Sequence, residues 1–193
     1  NTTTPSKEQS KKQNRTARHQ TAAMAAAATA RAGGDGPSAA GPSSSSPYRR
    51  RFEGRVAIVN AATAGIGLAI ARRLLQEGAA GVAVCSRRAA NVAAAVAELR
   101  GVARAANPQA PGDGSPYILG CVCHVADARQ RADFLAATLA KFGGKLDALV
   151  LNAAANPVAA PLLDTPPEAL DKLWEVNVRS ALLMAAECAP HLR

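Results

Sequence analysis

Residues 56–67 read VAIVNAATAGIG, a short apolar run followed by a loop of small residues. The apolar side chains of Ile66, Ile70 and Leu74 then recur at helical spacing, and Gly78 is placed to end that helix. A strand, a small-residue loop and an amphipathic helix in this order are typical of the first unit of a parallel sheet.

The same alternation repeats along the rest of the chain. The sequence predicts four strands, at residues 55–59, 82–85, 117–125 and 148–151, with an amphipathic helix after each. The second and third helices align Val92, Val96 and Leu99, and Leu135, Leu139 and Phe142. The last helix is predicted to begin with a capping box from Thr165 to Glu168, with Pro166 at its first position. We therefore expect an α/β fold, a doubly wound parallel sheet of the Rossmann type, that stops after the fourth strand and its helix.

Composition and charge exclude some classes of protein. Of the 193 residues 48% are hydrophobic but only 3% aromatic, so Ala, Val, Leu and Ile must build the core. No apolar run approaches the roughly 18 residues of a membrane-spanning helix, and we expect a soluble protein without a membrane partner. Residues 1–53 carry +6 of the net charge of +9, without interleaved aromatic residues, which predicts no nucleic-acid partner.

The chain divides in composition near Gly54. Residues 1–53 are rich in Ala, Gly, Ser and Pro, and we interpret them as a disordered basic leader ahead of a folded domain at 54–193. Because the chain begins with Asn1, we expect it to be a fragment or a translated read, with Met24 as a plausible true start. Residues 24–51 would then resemble an organelle transit peptide, an alternative to plain disorder.

Four cysteines, Cys85, Cys121, Cys123 and Cys188, form no disulfide or zinc pattern. Cys121 and Cys123 are expected to share one face of a strand, with His124 pointing away. We predict buried, reduced thiols and no metal site.

The loop at 60–67 predicts a phosphate-binding site at the carboxyl end of the first strand. Small residues allow the backbone to approach a pyrophosphate, and the amides of the next helix point at the anion. About twenty residues further on, where an acid would accept the ribose 2′-hydroxyl of NAD, the chain has Ser86, Arg87 and Arg88. A guanidinium matches a 2′-phosphate, so we predict NADP(H) as the cofactor; a solvated arginine pair is the alternative.

Over residues 54–193 the sequence resembles the short-chain dehydrogenase/reductase superfamily. The resemblance is carried by the glycine loop, by Ser86-Arg87, by the Asn152-Ala153-Ala154 segment and by Asn177. Within the superfamily, AAT-x-GIG, CHVAD (123–127), NAAANP (152–157) and LDKLWEVNV (170–178) are similar to the peroxisomal NADP-dependent carbonyl and retinal reductases and their plant relatives. The resemblance implies that 54–193 is the NADP-binding half of such an enzyme.

The resemblance also implies a set of cofactor-binding residues. They are Asn60, Ala61, Thr63, Gly65, Ile66, Gly67, Ser86, Arg87, Arg88, His124, Val125, Asn152, Ala153 and Ala154. Three depart from the family pattern: Asn60 replaces a threonine, Ala61 a glycine, and His124 the aspartate that reads the adenine amino group. Because Ala61 disfavours positive φ, its backbone is expected to be right-handed or extended. A neutral imidazole at His124 accepts or donates one hydrogen bond to the base.

Asn177 is the candidate catalytic residue. It is in line with Leu170, Trp174 and Ala181, which predicts an amide within a buried apolar stripe. One interpretation is structural, a bond to a neighbouring loop. The resemblance implies another: the matching asparagine of the family holds a water in the proton relay behind the catalytic lysine.

The resemblance implies an active-site serine and a Tyr-x-x-x-Lys pair, and neither Tyr48 nor Tyr117 fits that pattern. We expect these residues beyond 193, so that this chain alone is inactive and prone to aggregate through the strand at 148–151. For the intact protein we expect hydride transfer between NADP(H) and a small carbonyl or secondary alcohol substrate. The alternatives are an inactive nucleotide-binding or regulatory relative, and an NADP-linked epimerase or dehydratase.

Two further expectations concern the intact protein in the cell. The resemblance implies a homo-oligomer, a dimer or a tetramer. It also implies a peroxisomal location, set by a C-terminal signal. The cytoplasm, or the organelle addressed by a transit peptide at 24–51, is the alternative.

Overall fold

The computed structural model describes residues 50–108, 112–114, 117–158 and 161–192. Within them four parallel strands form one sheet in the order β3-β2-β1-β4. The strands are β1 (Val56–Val59), β2 (Gly81–Ser86), β3 (Ile118–Val122) and β4 (Ala148–Val150). The helices are α1 (Gly65–Gln76), α2 (Ala89–Ala106), α3 (Ala128–Lys141), α4 (Pro167–Leu173) and α5 (Ser180–Cys188). Short 3₁₀ turns lie at Leu162–Asp164 and Ala189–His191, and a π turn at Trp174–Arg179 joins α4 to α5.

This architecture confirms the predicted α/β fold with a parallel, doubly wound sheet. None of the described helices is long and apolar enough to cross a membrane. The predicted leader, Met24 and the possible transit peptide lie almost entirely outside the described residues.

Alternate strand residues face opposite layers of helices, as the two-residue period of a strand requires. Ala57 and Val59 of β1 belong to the core cluster that contains residues of α1 and α2. Ile58, between them, belongs to the cluster that contains residues of α3 and α5. The largest fully buried side chain is Phe134, and most of its buried neighbours are small or aliphatic, as the low aromatic content predicts.

The first turn of α1 does not follow the predicted apolar face. Leu74 is buried, but Ile66 is 74% exposed. In this turn Gly67, rather than Ile66, packs against Asn152 and the loop at the end of β1. Ile66 therefore stands beside the loop and outside the core.

The predicted capping box at the start of α4 is wrong. The helix begins at Pro167, and Thr165 donates its hydroxyl to the Pro161 carbonyl at 3.3 Å. Pro166 has an extended backbone with ψ of 147°, because a residue that precedes a proline is pushed out of the helical region.

The predicted buried stripe on the last helix is also wrong. Leu170 is 44% and Trp174 63% exposed, and Asn177 is exposed as well. A π turn takes one more residue than an α turn, so it shifts every following side chain around the helix. The buried face is formed by Val176, Ser180, Met184 and Cys188.

Folded packing begins before Gly54, the predicted domain boundary. The Phe52 N–H donates to the Glu77 carbonyl at 3.0 Å, and Glu53 bridges to Ala79. The Glu77 carboxylate, at the C-terminal end of α1, accepts from Arg51 Nη2 at 2.7 Å and from Arg73 Nε at 3.0 Å. The hydrogen bond from Arg51 is the main reason that the pKa of Glu77 falls to about 2.

All four cysteines are free thiols. Cys85, Cys123 and Cys188 are buried, and Cys121 is half-buried against the same cluster of core residues. Cys121 and Cys123 thus share one side of the sheet, as predicted. Among the described residues, no group of three or more His, Cys, Asp or Glu side chains could hold a metal ion.

Candidate cofactor-binding site

A cavity of about 480 Å³ opens at the carboxyl ends of the strands. It is lined by Ala61, Ser86, Arg87, Cys123, His124, Val125, Ala153, Ala154, Ala155, Asn156, Pro157, Lys172 and Val176. Seven of these are predicted cofactor-binding residues, brought together from four separate segments: Ala61, Ser86, Arg87, His124, Val125, Ala153 and Ala154. The other seven predicted residues do not line it: Asn60, Thr63, Gly65, Ile66, Gly67, Arg88 and Asn152.

The loop after β1 turns through a left-handed residue. Ala61 has φ of +50°, so the expectation of a right-handed or extended backbone is wrong. Hydrogen bonds hold the peptide groups on either side of it: Asn152 Nδ2 donates to the Asn60 carbonyl at 3.3 Å and to the Ala61 carbonyl at 3.1 Å, and the Ala62 N–H donates to the Cys85 carbonyl at 3.1 Å. These bonds offset the roughly 1 kcal/mol or more that a left-handed alanine costs.

Gly67 allows α1 to begin directly against this loop. A Cβ on Gly67 would lie 2.5 Å from Asn152 Nδ2 and 2.9 Å from the Ala61 carbonyl oxygen. Gly65 has φ of +56° and open space around it, so here the backbone conformation requires glycine. No side chain caps this helix end, and half-buried Thr63 lies in the loop ahead of it. The first-turn amides of α1 are thus free of a side-chain acceptor.

Asn60 joins the ends of β1 and β4. Its buried Oδ1 accepts from the Asn152 and Ala153 N–H groups at 2.6 and 2.7 Å, and its Nδ2 faces the Met184 sulfur at 3.4 Å. In turn, Asn152 Nδ2 donates to the backbone carbonyls of Asn60 and Ala61. Both predicted residues therefore shape the loops that line the cavity, with their side chains engaged inside the protein.

Ser86, the last residue of β2, and Arg87, which follows it, both line the cavity. The Ser86 carbonyl accepts from the Cys123 N–H at 2.9 Å, which holds the ends of β2 and β3 side by side. Arg87 is exposed and lines the cavity, whereas Arg88 is the residue before α2 and lies off the lining. Neither arginine forms an ion pair with any residue that the structure describes. Arg87 is thus a cation at the cavity without an internal anion.

The segment after β3 is held by its own hydrogen bonds. Gln130 Oε1 accepts from the His124 N–H at 2.8 Å, and His124 Nδ1 accepts from the Ala126 N–H at 3.2 Å. Asp127 caps α3 by accepting from the Gln130 N–H at 3.0 Å, which lowers the pKa of the Asp127 carboxyl. This wall of the cavity is therefore preorganised.

Arg131 supports the same segment from behind and was missed by the sequence reasoning. It is 2% exposed, donates Nη1 to the Val125 carbonyl at 2.8 Å, and pairs through Nη2 with Glu187 of α5 at 2.8 Å. A buried arginine needs such partners. Its position on the inner face of a helix, four residues after the Asp127 cap, was the available signal.

Asn177 does not line the cavity but holds part of its wall. Its Oδ1 accepts from the Ala155 N–H at 2.7 Å, and its Nδ2 donates to the Ala155 carbonyl at 2.9 Å. The loop-bonding interpretation thus has a direct geometric basis, while the proton-relay role stays a prediction. Asn177 also lies within the π turn, a feature frequent at functional sites.

Lys172 is a second cation on the cavity that the prediction did not include. Unlike Arg87 it is paired, since its Nζ lies 2.9 Å from Glu175 Oε2. The ammonium of Lys172 also lowers the pKa of Glu175.

Comparison with known proteins agrees with this geometry. Residues 55–193 match the family described as short chain dehydrogenase. The chain is 48% identical over 144 residues to tropinone reductase-like 3 of Erythroxylum coca, and 46% identical over 143 residues to short-chain dehydrogenase/reductase SDRA of Arabidopsis thaliana. These alignments cover 75% and 74% of this chain but 50% and 51% of the relatives, so the chain spans about half the length of the curated relatives it matches.

A solved structure shows the same likeness. The 3-ketoacyl-(acyl-carrier-protein) reductase of Brucella melitensis, complexed with NADH, superposes with a TM-score of 0.60 at 28% identity. The match covers 72% of this chain and 51% of the reductase. With its fold, its cavity at the strand ends and a family match across 55–193, the chain belongs to the short-chain dehydrogenase family.

Proposed function

We propose that this chain forms the NADP(H)-binding half of an oxidoreductase that acts on a carbonyl compound or secondary alcohol. Members of the family use nicotinamide cofactors, which supply or accept a hydride when bound. The observation that supports NADP(H) in particular is Arg87, an unpaired guanidinium on the cavity where β2 ends.

The residues present fit a phosphorylated dinucleotide. The uncapped first turn of α1 offers amides to a pyrophosphate, and Gly67 allows the close approach of loop and helix that this requires. An exposed arginine that has no internal anion is free to pair with a 2′-phosphate in two parallel hydrogen bonds. A carboxylate at this position would instead accept the 2′-hydroxyl of NAD, and the chain has none between Ser86 and Arg88.

The remaining residues position these groups. Asn60 holds the ends of β1 and β4 together, so the phosphate loop and the loop at 152–157 keep one geometry. Asn177 holds Ala155 in the second loop from the side of α5. The proposal includes hydride transfer by the whole protein between NADP(H) and a carbonyl compound or secondary alcohol.

The proposed cofactor preference is tested by titrating NADP⁺ and NAD⁺ into the 193-residue chain by calorimetry. We expect NADP⁺ to bind more tightly by one to two orders of magnitude, about 1.4–2.8 kcal/mol. Arg87→Asp should erase or invert that preference, because it replaces the phosphate partner with a ribose-hydroxyl acceptor. Arg104→Asp, the same charge change on the exposed end of α2, is the matched control. Equal affinities in the unaltered chain, or an unchanged ratio in Arg87→Asp, would sink the assignment.

The activity is tested separately on the full-length protein. Consumption of NADPH in the presence of a panel of aldehydes and ketones, and of NADP⁺ with the matching alcohols, should show turnover. Binding without turnover on any of these substrates would favour the inactive, nucleotide-binding alternative.

A further inference from the structure

A groove of about 430 Å³ follows β3 and shares no lining residue with the cofactor-binding cavity. β3 is the outermost strand in the order β3-β2-β1-β4, so none of the described strands pairs with its second side. The lining comes from α2, β3 and the last residue of α3, and eight of the ten lining residues are glycine or apolar. This edge groove includes Ile118, Gly120 and Val122 of β3.

The same three residues of β3 have peptide groups that point away from the sheet. The N–H of Cys123, the residue after β3, donates to the Ser86 carbonyl of β2 at 2.9 Å. Peptide groups of successive strand residues point to alternate sides, so those of Ile118, Gly120 and Val122 face away from β2. Within the described ranges, no group outside the sheet donates to them or accepts from them. They form a row of open hydrogen-bonding groups at strand spacing.

The edge groove lacks the features that usually keep a strand edge from pairing. Residues 118–122 read ILGCV, without a lysine or a proline, and Val122 is 51% exposed. Gly120 brings α2 close to the strand, since a Cβ there would lie 2.9 Å from Val92 Cγ1. Apolar side chains of α2, among them Val92 and Val96, therefore flank the open peptide groups. An added strand would gain both backbone hydrogen bonds and apolar contacts here.

The charged groups of the edge groove are basic. They are Arg100 of α2 and Lys141 of α3, and none of the described acidic residues lines the groove. Lys141 is exposed and forms no ion pair in the part of the chain that the structure describes. Arg100 Nε is buried without a hydrogen-bond partner among the described residues, and Arg100 Nη1 lies 3.9 Å from Asp113 Oδ2. Both cations thus have donors that a carboxylate in the groove can use.

We propose that the edge groove binds an extended acidic segment of another protein, which joins the sheet as a strand beside β3. The open peptide groups bind the backbone of the segment, and Arg100 and Lys141 select its carboxylates. A second copy of this chain fits less well, because the chain carries a net charge of +9. Residues 1–53, with nine basic and three acidic residues, fit no better.

The test uses the 193-residue chain at low salt and two fluorescent peptides, whose binding is followed by anisotropy. Valine alternates with aspartate in one peptide and with lysine in the other. The first variant combines Arg100→Gln with Lys141→Gln. The matched control combines Arg104→Gln with Arg129→Gln, because both arginines are exposed, lie on the same two helices and do not line the groove.

We expect the unaltered chain and the control to bind the aspartate peptide about tenfold more tightly than the lysine peptide. The Arg100 and Lys141 variant should bind the two within about threefold of each other. Equal binding of both peptides by the unaltered chain, or no binding of either, would overturn the inference. The same tenfold ratio in the Arg100 and Lys141 variant would overturn it as well, because the acidic peptide would then bind elsewhere.

Hydrogen exchange followed by NMR tests the pairing with β3. The saturating aspartate peptide should slow exchange of the Gly120 and Val122 amides about tenfold and leave the amide of Gly65, on the loop before α1, unchanged. Unchanged exchange at Gly120 and Val122 would show attraction of charge without strand addition, against the proposal. A peptide that lowers the self-association of the chain in sedimentation would identify a second copy as the occupant of this edge, and would also overturn it.

Discussion

At the scale of single residues, replacing glycine by alanine should have opposite effects on stability at two positions of this chain. Gly67→Ala places a methyl group against Asn152 and the loop backbone, so we expect a loss of about 1–3 kcal/mol in the free energy of unfolding, together with weaker NADP⁺ binding. Gly101→Ala, inside α2 with nothing within 4 Å of its Cβ position, should stabilise the chain by about 0.5–1 kcal/mol. Urea unfolding and calorimetric titration measure both effects. Equal and small effects at the two positions would contradict the close packing at Gly67.

Residue identity predicted much of the site, but not how each side chain is used. Arg87 was predicted from its distance to the first loop, which fits the end of the second strand of a parallel sheet, and His124 from the family resemblance; both line the cavity. Ala61 lines the cavity, but its predicted backbone was wrong, because its φ is set by the bonds that Asn152 and Cys85 make with the adjoining peptide groups rather than by its own preference. Such partners are distant in sequence, and local reasoning does not see them.

At the scale of elements, Glu77 joins the segment before β1 to the end of α1. Its carboxylate has a pKa of about 2 in the folded chain, well below the ordinary value of 4.5, chiefly because Arg51 donates to it. A carboxyl whose pKa is lowered by folding stabilises the fold above its unfolded pKa, and that contribution is lost as the pH falls toward the folded value.

We therefore expect the stability of the unaltered chain to fall more steeply between about pH 4.5 and pH 2 than that of Glu77→Gln. Above this window the variant should be the less stable of the two, and the difference should shrink as the pH drops. Midpoints of urea unfolding across the pH range give the comparison. Glu168→Gln, at an exposed glutamate of α4, controls for the loss of one carboxylate. If the urea midpoints of Glu77→Gln and the unaltered chain change with pH in parallel, the ion pairs of Glu77 with Arg51 and Arg73 do not have the proposed role.

The strands were predicted to within a few residues because Val, Ile and Ala runs between helices have few other solutions. The end of the chain was less predictable. Leu170, Trp174 and Asn177 fit an α-helical stripe by spacing, yet all three are exposed. The π turn, which contains Trp174 and Asn177, breaks the α-helical period between α4 and α5. No residue type in 174–179 announces such a turn, so the sequence pattern alone leads to the wrong face.

At the scale of the whole molecule, apolar surface is concentrated at one end of the chain. Leu163, Trp174 and Leu182 are 97%, 63% and 66% exposed, and β4 lies at an edge of the sheet. A strand at a sheet edge and exposed apolar side chains each favour self-association.

We expect the 193-residue chain to self-associate, with a mass in analytical ultracentrifugation that rises with concentration. Replacing Trp174 and Leu182 together by Gln should lower that tendency without reducing stability, because both side chains are already largely in water. A purely monomeric chain that unfolds cooperatively with a urea midpoint above about 4 M would contradict this expectation.

The π turn at Trp174–Arg179 has a consequence for insertions and deletions. Because the turn contains one residue more than the helices on either side require, it is the place where the chain can lose a residue and still remain a helix. Deleting Glu175 would close the π turn into an α turn, and Asn177, which lies inside the turn, would change its position around the helix axis. Asn177 would then no longer face Ala155, and the wall of the cavity would lose its tie to the helix. The number of residues in this turn thus determines the geometry of the site as much as the identity of any side chain in it.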